Sequence, residues 1–159
     1  MAAFSDPRTD KPQAFNPPNV PTPPPTYNQV SITPLIPSSK LVTLAGQVGV
    51  DPSTHKVAEG FEAQVRLAYR NVLNTLKAAG ATPRDIVHVR HYIVKDTKHV
   101  GVESEEELTE VWGRLWMEFM DKEGEGHRPP DTVLGVACLA TKYLLYECEV
   151  WAIVQGGRA

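Results

Sequence analysis

The sequence predicts an α+β domain in which two helices pack on one face of a single mixed sheet. Strand-like and helix-like segments follow one another in the order β-β-(β)-α-β-α-β-β, which is typical of helices layered on a sheet. Two segments carry apolar residues with the helical period, and the last segment alternates with the two-residue period of a strand. These three observations predict the fold class.

Short apolar runs bounded by turn residues are predicted as strands. The first two cover residues 30–33 and 41–45 and flank a stretch rich in proline and serine. Gly46-Gln47 interrupts the second run, which indicates a bulge or a tight bend. The later strands are predicted at residues 87–94, 133–139 and 144–154.

Two amphipathic segments are predicted as helices. The first ends at Gly80, a residue suited to the left-handed conformation that follows a helix. The second opens with a capping box at residues 104–107 and ends at Gly124 and Gly126. Their apolar faces comprise Phe61, Val65, Ala68, Tyr69, Val72, Leu76 and Ala79 in the first helix, and Leu108, Val111, Trp112, Leu115 and Phe119 in the second.

The last predicted strand carries large apolar residues on both of its faces. One face presents Tyr146, Cys148, Val150, Ala152 and Val154, and the other presents Leu145, Glu147, Glu149, Trp151 and Ile153. Two helices can cover only one side of a sheet. We therefore expect the second side to meet another copy of the chain in a homo-oligomer.

Residues 1–29 differ in composition from the rest and are predicted as an N-terminal extension to a domain at residues 30–159. Eight of the fourteen prolines lie in this extension. Because proline fixes φ and donates no hydrogen bond, the segment is expected to run extended, either docked on the assembly or mobile. Phe4 and Phe15 are its candidate apolar anchors.

Composition excludes several classes of function. A chain of 159 residues with 42% hydrophobic and 22% charged residues forms one ordinary domain. Its net charge of −3 provides no general attraction for nucleic acid or anionic membranes. Cys138 and Cys148 are expected to be buried, reduced thiols, and no metal or other cofactor is predicted. No run is apolar enough to span a bilayer, and the expected location is the cytoplasm.

Three short stretches, 44–47, 127–133 and 147–149, resemble in order and spacing the motifs of the Rid family (YjgF/YER057c/UK114). The best-known members of that family hydrolyse enamines and imines. The resemblance covers roughly residues 30–154. It implies a Rid/chorismate-mutase-like domain that assembles as a homotrimer, with clefts between neighbouring subunits.

The resemblance also implies a set of site residues. Gly46 and Gln47 match a Ser-Gly-Gln-like segment that provides backbone groups, and Glu147 matches a glutamate that orients the hydrolytic water. Asp131 stands where the family has the arginine that binds the substrate carboxylate, and Thr132 matches the serine or threonine after it. Tyr146, like Tyr143, either lines the cleft or packs in the interior.

The exchange of arginine for Asp131 changes the expected substrate. Arginine binds a carboxylate through a bidentate, charge-assisted pair, and its loss costs on the order of 1.5–3 kcal/mol. Aspartate adds repulsion, so a small 2-imino acid is disfavoured unless Arg128 replaces the missing guanidinium. Because two prolines stiffen the backbone after Arg128, we expect that residue to pair with a surface acid instead.

Asp131 and Glu147 are the candidate catalytic residues. If they converge on one cleft, the pKa of one carboxyl rises, and the pair can serve as general acid and general base. The alternative is that Asp131 caps a turn and Glu147 pairs with an arginine.

Other polar and aromatic residues have simpler interpretations. His127 is expected to be solvated, and His88, His91 and His99 are expected on a strand surface. Trp112 and Trp116 lie four residues apart, which indicates packing in the core or at an interface.

The leading functional hypothesis is a small-molecule enzyme of the Rid superfamily with altered specificity. It would act on an imine, enamine or enol in an inter-subunit cleft through acid/base or water-mediated chemistry, as a deaminase or hydrolase does. A specialised-metabolism isomerase or cyclase on the same fold is the first alternative. A non-catalytic ligand-binding or chaperone-like module is the second. Neither nucleic acid nor a membrane is an expected partner.

Overall fold

The computed structural model describes residues 10–95 and 105–156 of the chain. Its strands are β1 (Gln13–Phe15), β2 (Val30–Ile32), β3 (Lys40–Thr43), β4 (Gln47–Val48), β5 (Ile86–Val94), β6 (Asp131–Val136) and β7 (Tyr146–Val154). Its helices are α1 (Phe61–Ala78), α2 (Glu105–Glu123) and a short 3₁₀ turn at Pro83–Asp85. Neither α1 nor α2 combines the length and the apolar character that crossing a membrane requires.

The main sheet is mixed, as predicted. Its strand order is β3-β7-β5-β6, and β4 also pairs with β7. Strand β7 is antiparallel to its neighbours, whereas β5 and β6 run parallel and are connected through α2. Both helices lie on one side of this sheet, which confirms the α+β prediction. We call the side under the helices the inner face and the opposite side the outer face.

Local sequence determines where α1 ends. Gly80 has φ +72°, the left-handed conformation predicted for the residue after a helix. The following 3₁₀ turn begins at Thr82, whose backbone N–H and hydroxyl both donate to Asp85 Oδ2, at 2.9 and 2.8 Å. The capping box predicted for the second helix begins at Ser104, outside the described residues.

The inner face and the two helices enclose the core. The residues that β7 directs inward, Tyr146, Cys148, Val150 and Ala152, are fully buried as the alternation predicts. From α2, Trp112 and Trp116 pack into the same core, which confirms the packing interpretation. Burying these side chains supplies most of the driving force for folding, at roughly 1.5–3 kcal/mol for each large apolar group.

Within residues 10–95 and 105–156, no helix covers the outer face. Leu41, next to Ile153 in the register, is 62% exposed, and Trp151 is 38% exposed. Arg90 lies over the Trp151 ring at 5.6 Å and forms a 3.0 Å ion pair with Glu149. This face therefore combines apolar rings with paired charges.

The described part of the N-terminal segment, residues 10–29, lies against the domain. Strand β1 pairs with β2, and Lys11 Nζ contacts Asp85 Oδ1 at 2.6 Å. Arg84 donates to the Pro12 carbonyl at 2.7 Å, and the Trp116 indole donates to the Thr26 carbonyl at 3.0 Å. The domain boundary at residue 29 stays a prediction, and Phe4 lies outside the described residues.

Candidate functional site

Glu147 lies against the backbone of Gly46. On β7, Glu147 pairs with Tyr92 on one side and Val48 on the other, which directs its side chain to the outer face. A Cβ at position 46 would stand 1.8 Å from Glu147 Oε1, so only glycine permits this approach. The predicted break at Gly46 thus places a carboxylate beside partly buried backbone between β3 and β4.

Gln47 supports this arrangement through side-chain contacts on the face of the sheet opposite to Glu147. It pairs with Cys148, which directs its side chain toward the helices. Its Nε2 donates to the Ala45 carbonyl at 3.0 Å, and its Oε1 is 3.5 Å from the Thr75 hydroxyl. The amide therefore braces the turn around Gly46 against α1.

Asp131 is the first residue of β6, and it faces the helices. It pairs with Val89, which pairs in turn with Val150, and both valines are fully buried on the inner face. Asp131 Oδ2 is buried and has no hydrogen-bond partner among the residues that the structure describes. Burial raises the pKa of this carboxyl to about 7. Near neutrality the group is therefore poised between acid and carboxylate.

The two candidate carboxyl groups lie on opposite faces of the sheet within one chain. Glu147 aligns with Tyr92 on the outer face, whereas Asp131 aligns with Val89 on the inner face. They therefore do not converge within one chain, and their convergence in a cleft between subunits stays a prediction. The pKa of Asp131 rises because of desolvation and not because of a second carboxylate.

Arg128 is held away from Asp131. Its Nη2 donates to Asp121 Oδ1 at 2.5 Å and its Nε donates to the Pro25 carbonyl at 3.2 Å. Asn28 clamps the Arg128 carbonyl with its backbone N–H and its side-chain amide, at 3.2 and 3.0 Å. The prediction that Arg128 pairs with a surface acid is confirmed.

Thr132 and Tyr146 occupy different environments. Thr132 pairs with Arg90 and is exposed on the outer face, the face that also carries Glu147. Tyr146 is fully buried, and its hydroxyl donates to the Tyr69 hydroxyl at 2.9 Å. Of the two interpretations left open for Tyr146, interior packing is the one observed.

His91 is a polar residue whose environment differs from the prediction. It was expected on a strand surface, yet it is fully buried, with its ring 4.8 Å from Trp112 and 4.9 Å from Trp116. Its Nδ1 lies 2.5 Å from the Tyr146 hydroxyl, and burial lowers its pKa to about 3. The alternation of β5, which places His91 between the inward residues Val89 and Ile93, is the signal that could have revealed this.

His127 and Cys138 also differ from expectation. His127 was expected in solvent, but it is buried, and its Nε2–H donates to the Ile86 carbonyl at 2.8 Å. Burial lowers its pKa to about 4. Cys138 was expected to be buried, but it is exposed because β6 ends at Val136. Across residues 10–95 and 105–156, no three metal-ligating side chains come together.

Comparison with known proteins identifies the family. The model of the Endoribonuclease L-PSP family matches residues 19–154. A RutC family protein from Aquifex aeolicus (strain VF5) is 36% identical over 69 residues, which span 43% of this chain and half the length of that relative. The chain belongs to the Rid family.

Solved structures of Rid proteins share the fold. A conserved Rid family protein of unknown function, YyfB from Yersinia pestis, superposes with a TM-score of 0.71 at 26% identity, covering 91% of this chain and 99% of that one. RidA from an Antarctic Psychrobacter gives a TM-score of 0.59 at 20% identity, covering 83% and 97%. TdcF from E. coli with bound serine gives 0.62 at 21% identity, covering 84% and 97%.

Proposed function

We propose that this Rid family protein is a small-molecule enzyme with altered specificity, acting as a deaminase or hydrolase on an imine, enamine or enol. The observation that carries the proposal is a partly exposed Asp131 whose pKa of about 7 suits proton transfer at neutral pH. A carboxyl group that is half protonated can both donate and accept a proton within one catalytic cycle.

The substrate class follows from charge. Asp131 would place an acid in the site, and the guanidinium of Arg128, three residues earlier in the chain, is engaged by Asp121 and Pro25. A substrate carboxylate beside Asp131 would be repelled whenever Asp131 is ionised. Substrates without a carboxylate at that point are therefore favoured over small 2-imino acids.

The active site would lie between subunits. Within one chain Glu147 is on the outer face and Asp131 on the inner face, at the β6 edge of the sheet. Two groups on opposite faces can serve one substrate only if neighbouring copies contribute one each. A cyclic homotrimer, the assembly that the family resemblance implies, repeats such a heterologous contact three times. Glu147 beside Gly46 would hold the water, and Asp131 of a neighbouring copy would transfer the proton.

Mixed assemblies test this proposal. Asp131→Asn and Glu147→Gln are each expected to abolish turnover of a carboxylate-free imine or enamine that the wild type processes. If each site takes one residue from each of two subunits, unfolding and refolding an equal mixture of the variants restores both groups in about a quarter of the sites. Each variant refolded alone is the control. A mixture that stays inactive while the wild type recovers activity would contradict the shared site.

The same chemical groups also suit an isomerase or cyclase. General acid/base chemistry on an enol requires no net addition of water, whereas deamination and hydrolysis do. Turnover in ¹⁸O-labelled water separates the two, because only the deaminase or hydrolase transfers the label to its product. A product without the label would reject the deaminase or hydrolase reaction and favour the isomerase or cyclase reaction.

A further inference from the structure

The inner face contains a chain of hydrogen-bonded polar groups in addition to the candidate catalytic pair. Tyr146 lies between two of its members, with its hydroxyl 2.9 Å from the Tyr69 hydroxyl and 2.5 Å from His91 Nδ1. All three residues are at least 97% buried. At its far end, His91 Nε2 is buried without a hydrogen-bond partner among the described residues.

Asp131 lies on the same face of the sheet as this free end. In the parallel register Asp131 pairs with Val89 and His91 pairs with Val133, so Asp131 and His91 are diagonal neighbours on the inner face. Diagonal neighbours on adjacent strands are roughly 7–8 Å apart, a separation that the His91 ring spans in part. In the structure Asp131 Oδ2 and His91 Nε2 are not hydrogen-bonded to each other, so pairing requires a movement of the side chains. Asp131 also raises the pKa of Tyr69 through its charge, which places it near the other end of the chain.

We propose that His91 is a positioning residue for Asp131, and that the two change hydrogen-bond roles together. This inference rests on the proposed function, in which Asp131 transfers the proton. When the carboxyl is protonated, it donates toward Nε2, Nδ1–H donates to Tyr146, and Tyr146 donates to Tyr69. When the carboxyl has lost its proton to solvent, Nε2–H donates to it, Tyr146 donates to Nδ1, and Tyr69 donates to Tyr146.

The imidazole keeps a single proton in both arrangements, so only one proton enters or leaves the system. Both forms of Asp131 thereby have a partner, which an unpaired buried carboxyl would lack. A group that must cycle between acid and carboxylate in a desolvated place benefits from this pairing. Among the described residues, three buried atoms at this face lack a hydrogen-bond partner, namely Asp131 Oδ2, His91 Nε2 and Trp112 Nε1. Of these, the first two are the ones whose protonation can change.

The surrounding titratable groups allow the switch to be read cleanly. Helix α1 contributes Tyr69, β7 contributes Tyr146 and Cys148, and β5 contributes His88, while α2 contributes the rings of Trp112 and Trp116. Burial raises the pKa values of both tyrosines well above 10 and that of Cys148 to about 12. Between pH 5 and 9 the two tyrosines and Cys148 stay protonated and His91 stays neutral, so the nitrogen chemical shifts of His91 report its tautomer. His88, whose pKa burial lowers from 6.5, is the one group of this set that can change its charge near the acid end of the range.

Nuclear magnetic resonance of the full chain tests the pairing without any substrate. With ¹⁵N-histidine and ¹³C-carboxyl aspartate labels, the chemical shifts of both His91 ring nitrogens can be followed. As the pH rises from 5 to 9, Nδ1 is expected to change from the shift of a protonated nitrogen to that of a bare one, and Nε2 is expected to change in the reverse direction. The midpoint of that exchange should equal the titration midpoint of Asp131. In Asp131→Asn the tautomer should be constant over the whole range. A His91 tautomer that ignores the Asp131 titration, or one that still switches in Asp131→Asn, would overturn the proposal.

His91→Phe provides the reciprocal measurement, since phenylalanine keeps a ring between Trp112 and Trp116. Loss of the Nε2–H donor disfavours the carboxylate, so the Asp131 midpoint should rise by about half to one pH unit. His88→Gln is the matched control on the same strand and should leave the midpoint in place. An unchanged midpoint in folded His91→Phe would contradict the pairing. A coupled switch in a protein without turnover would leave the pairing supported and reject only the proposed function.

Discussion

The two faces of the main sheet are formed by the same strands but differ in what covers them. The inner face is finished within one chain, because α1 and α2 cover it and bury the inward residues of β5 and β7. The outer face leaves Leu41 and Trp151 in contact with solvent beside the Arg90–Glu149 pair. The comparison shows that α1 and α2 complete the inner face within one chain, whereas the outer face keeps large apolar side chains exposed.

A matched pair of tryptophans tests this difference most strongly. Trp116 is fully buried and donates to the Thr26 carbonyl, whereas Trp151 lies on the outer face and donates to Glu149 at 3.1 Å. Trp116→Ala should lower the free energy of unfolding by about 3–5 kcal/mol, measured by urea denaturation. Trp151→Ala should lower it by less than about 1 kcal/mol in dilute protein.

Assembly should respond in the opposite order. Trp151→Ala is expected to shift the light-scattering mass toward the monomer at micromolar concentration, because the outer face loses its largest ring. Under conditions in which Trp116→Ala is still folded, that substitution should leave the light-scattering mass unchanged. Equal effects of the two substitutions on mass would remove the distinction between the faces.

The pH dependence of stability isolates Asp131 within the inner face. Its pKa is raised to about 7 in the folded chain from an ordinary 3.8. As the pH rises from 4 to 7, the unfolded chain releases this proton while the folded chain retains it, so the contribution of Asp131 to stability falls. The pKa values of His91 and His127 are lowered to about 3 and 4, so the unfolded chain binds their protons more readily than the folded chain. Their contribution to stability therefore falls as the pH falls below 6.5.

The difference between the free energies of unfolding of Asp131→Asn and the wild type, taken at each pH, cancels the histidine contributions. The variant should gain stability relative to the wild type between pH 4 and 7, reaching about 1–3 kcal/mol at pH 8 after allowance for partial solvent screening. Urea midpoints at half-unit pH intervals measure this difference. A difference that is independent of pH would show that Asp131 titrates normally.

Two glycines provide the mildest test. Gly46→Ala would bring a Cβ within 1.8 Å of Glu147 Oε1, so the carboxylate must leave its place at a cost of about 1–3 kcal/mol. Gly113→Ala in α2 would meet only Thr26 Cγ2 at 3.4 Å and should gain up to about 1 kcal/mol from helix propensity. Thermal unfolding of both variants measures the contrast. If Gly46→Ala is as stable as Gly113→Ala, Glu147 does not depend on Gly46.

Much of the fold could be predicted because it depends on local chemistry. The left-handed conformation of Gly80 follows from a side chain that is only hydrogen. The break at Gly46 follows from an apolar run interrupted by glycine. The inward set of β7 follows from strand alternation, and the same alternation would have placed His91 correctly had it been applied to β5.

The sequence by itself determined the order of elements from β2 to β7, the family, and which residues of a strand share a face, but not the strand β1 in the proline-rich segment. Only the tertiary structure decided that Asp131 and Glu147 stand on opposite sides of the sheet, because that depends on the register between β6, β5 and β7. The predicted strand begins at residue 133 and leaves out Asp131. The alternation of that strand therefore does not predict which face Asp131 shares with respect to Glu147. Burial, which raises the pKa of Asp131 and lowers that of His91, likewise arises only when distant segments pack together.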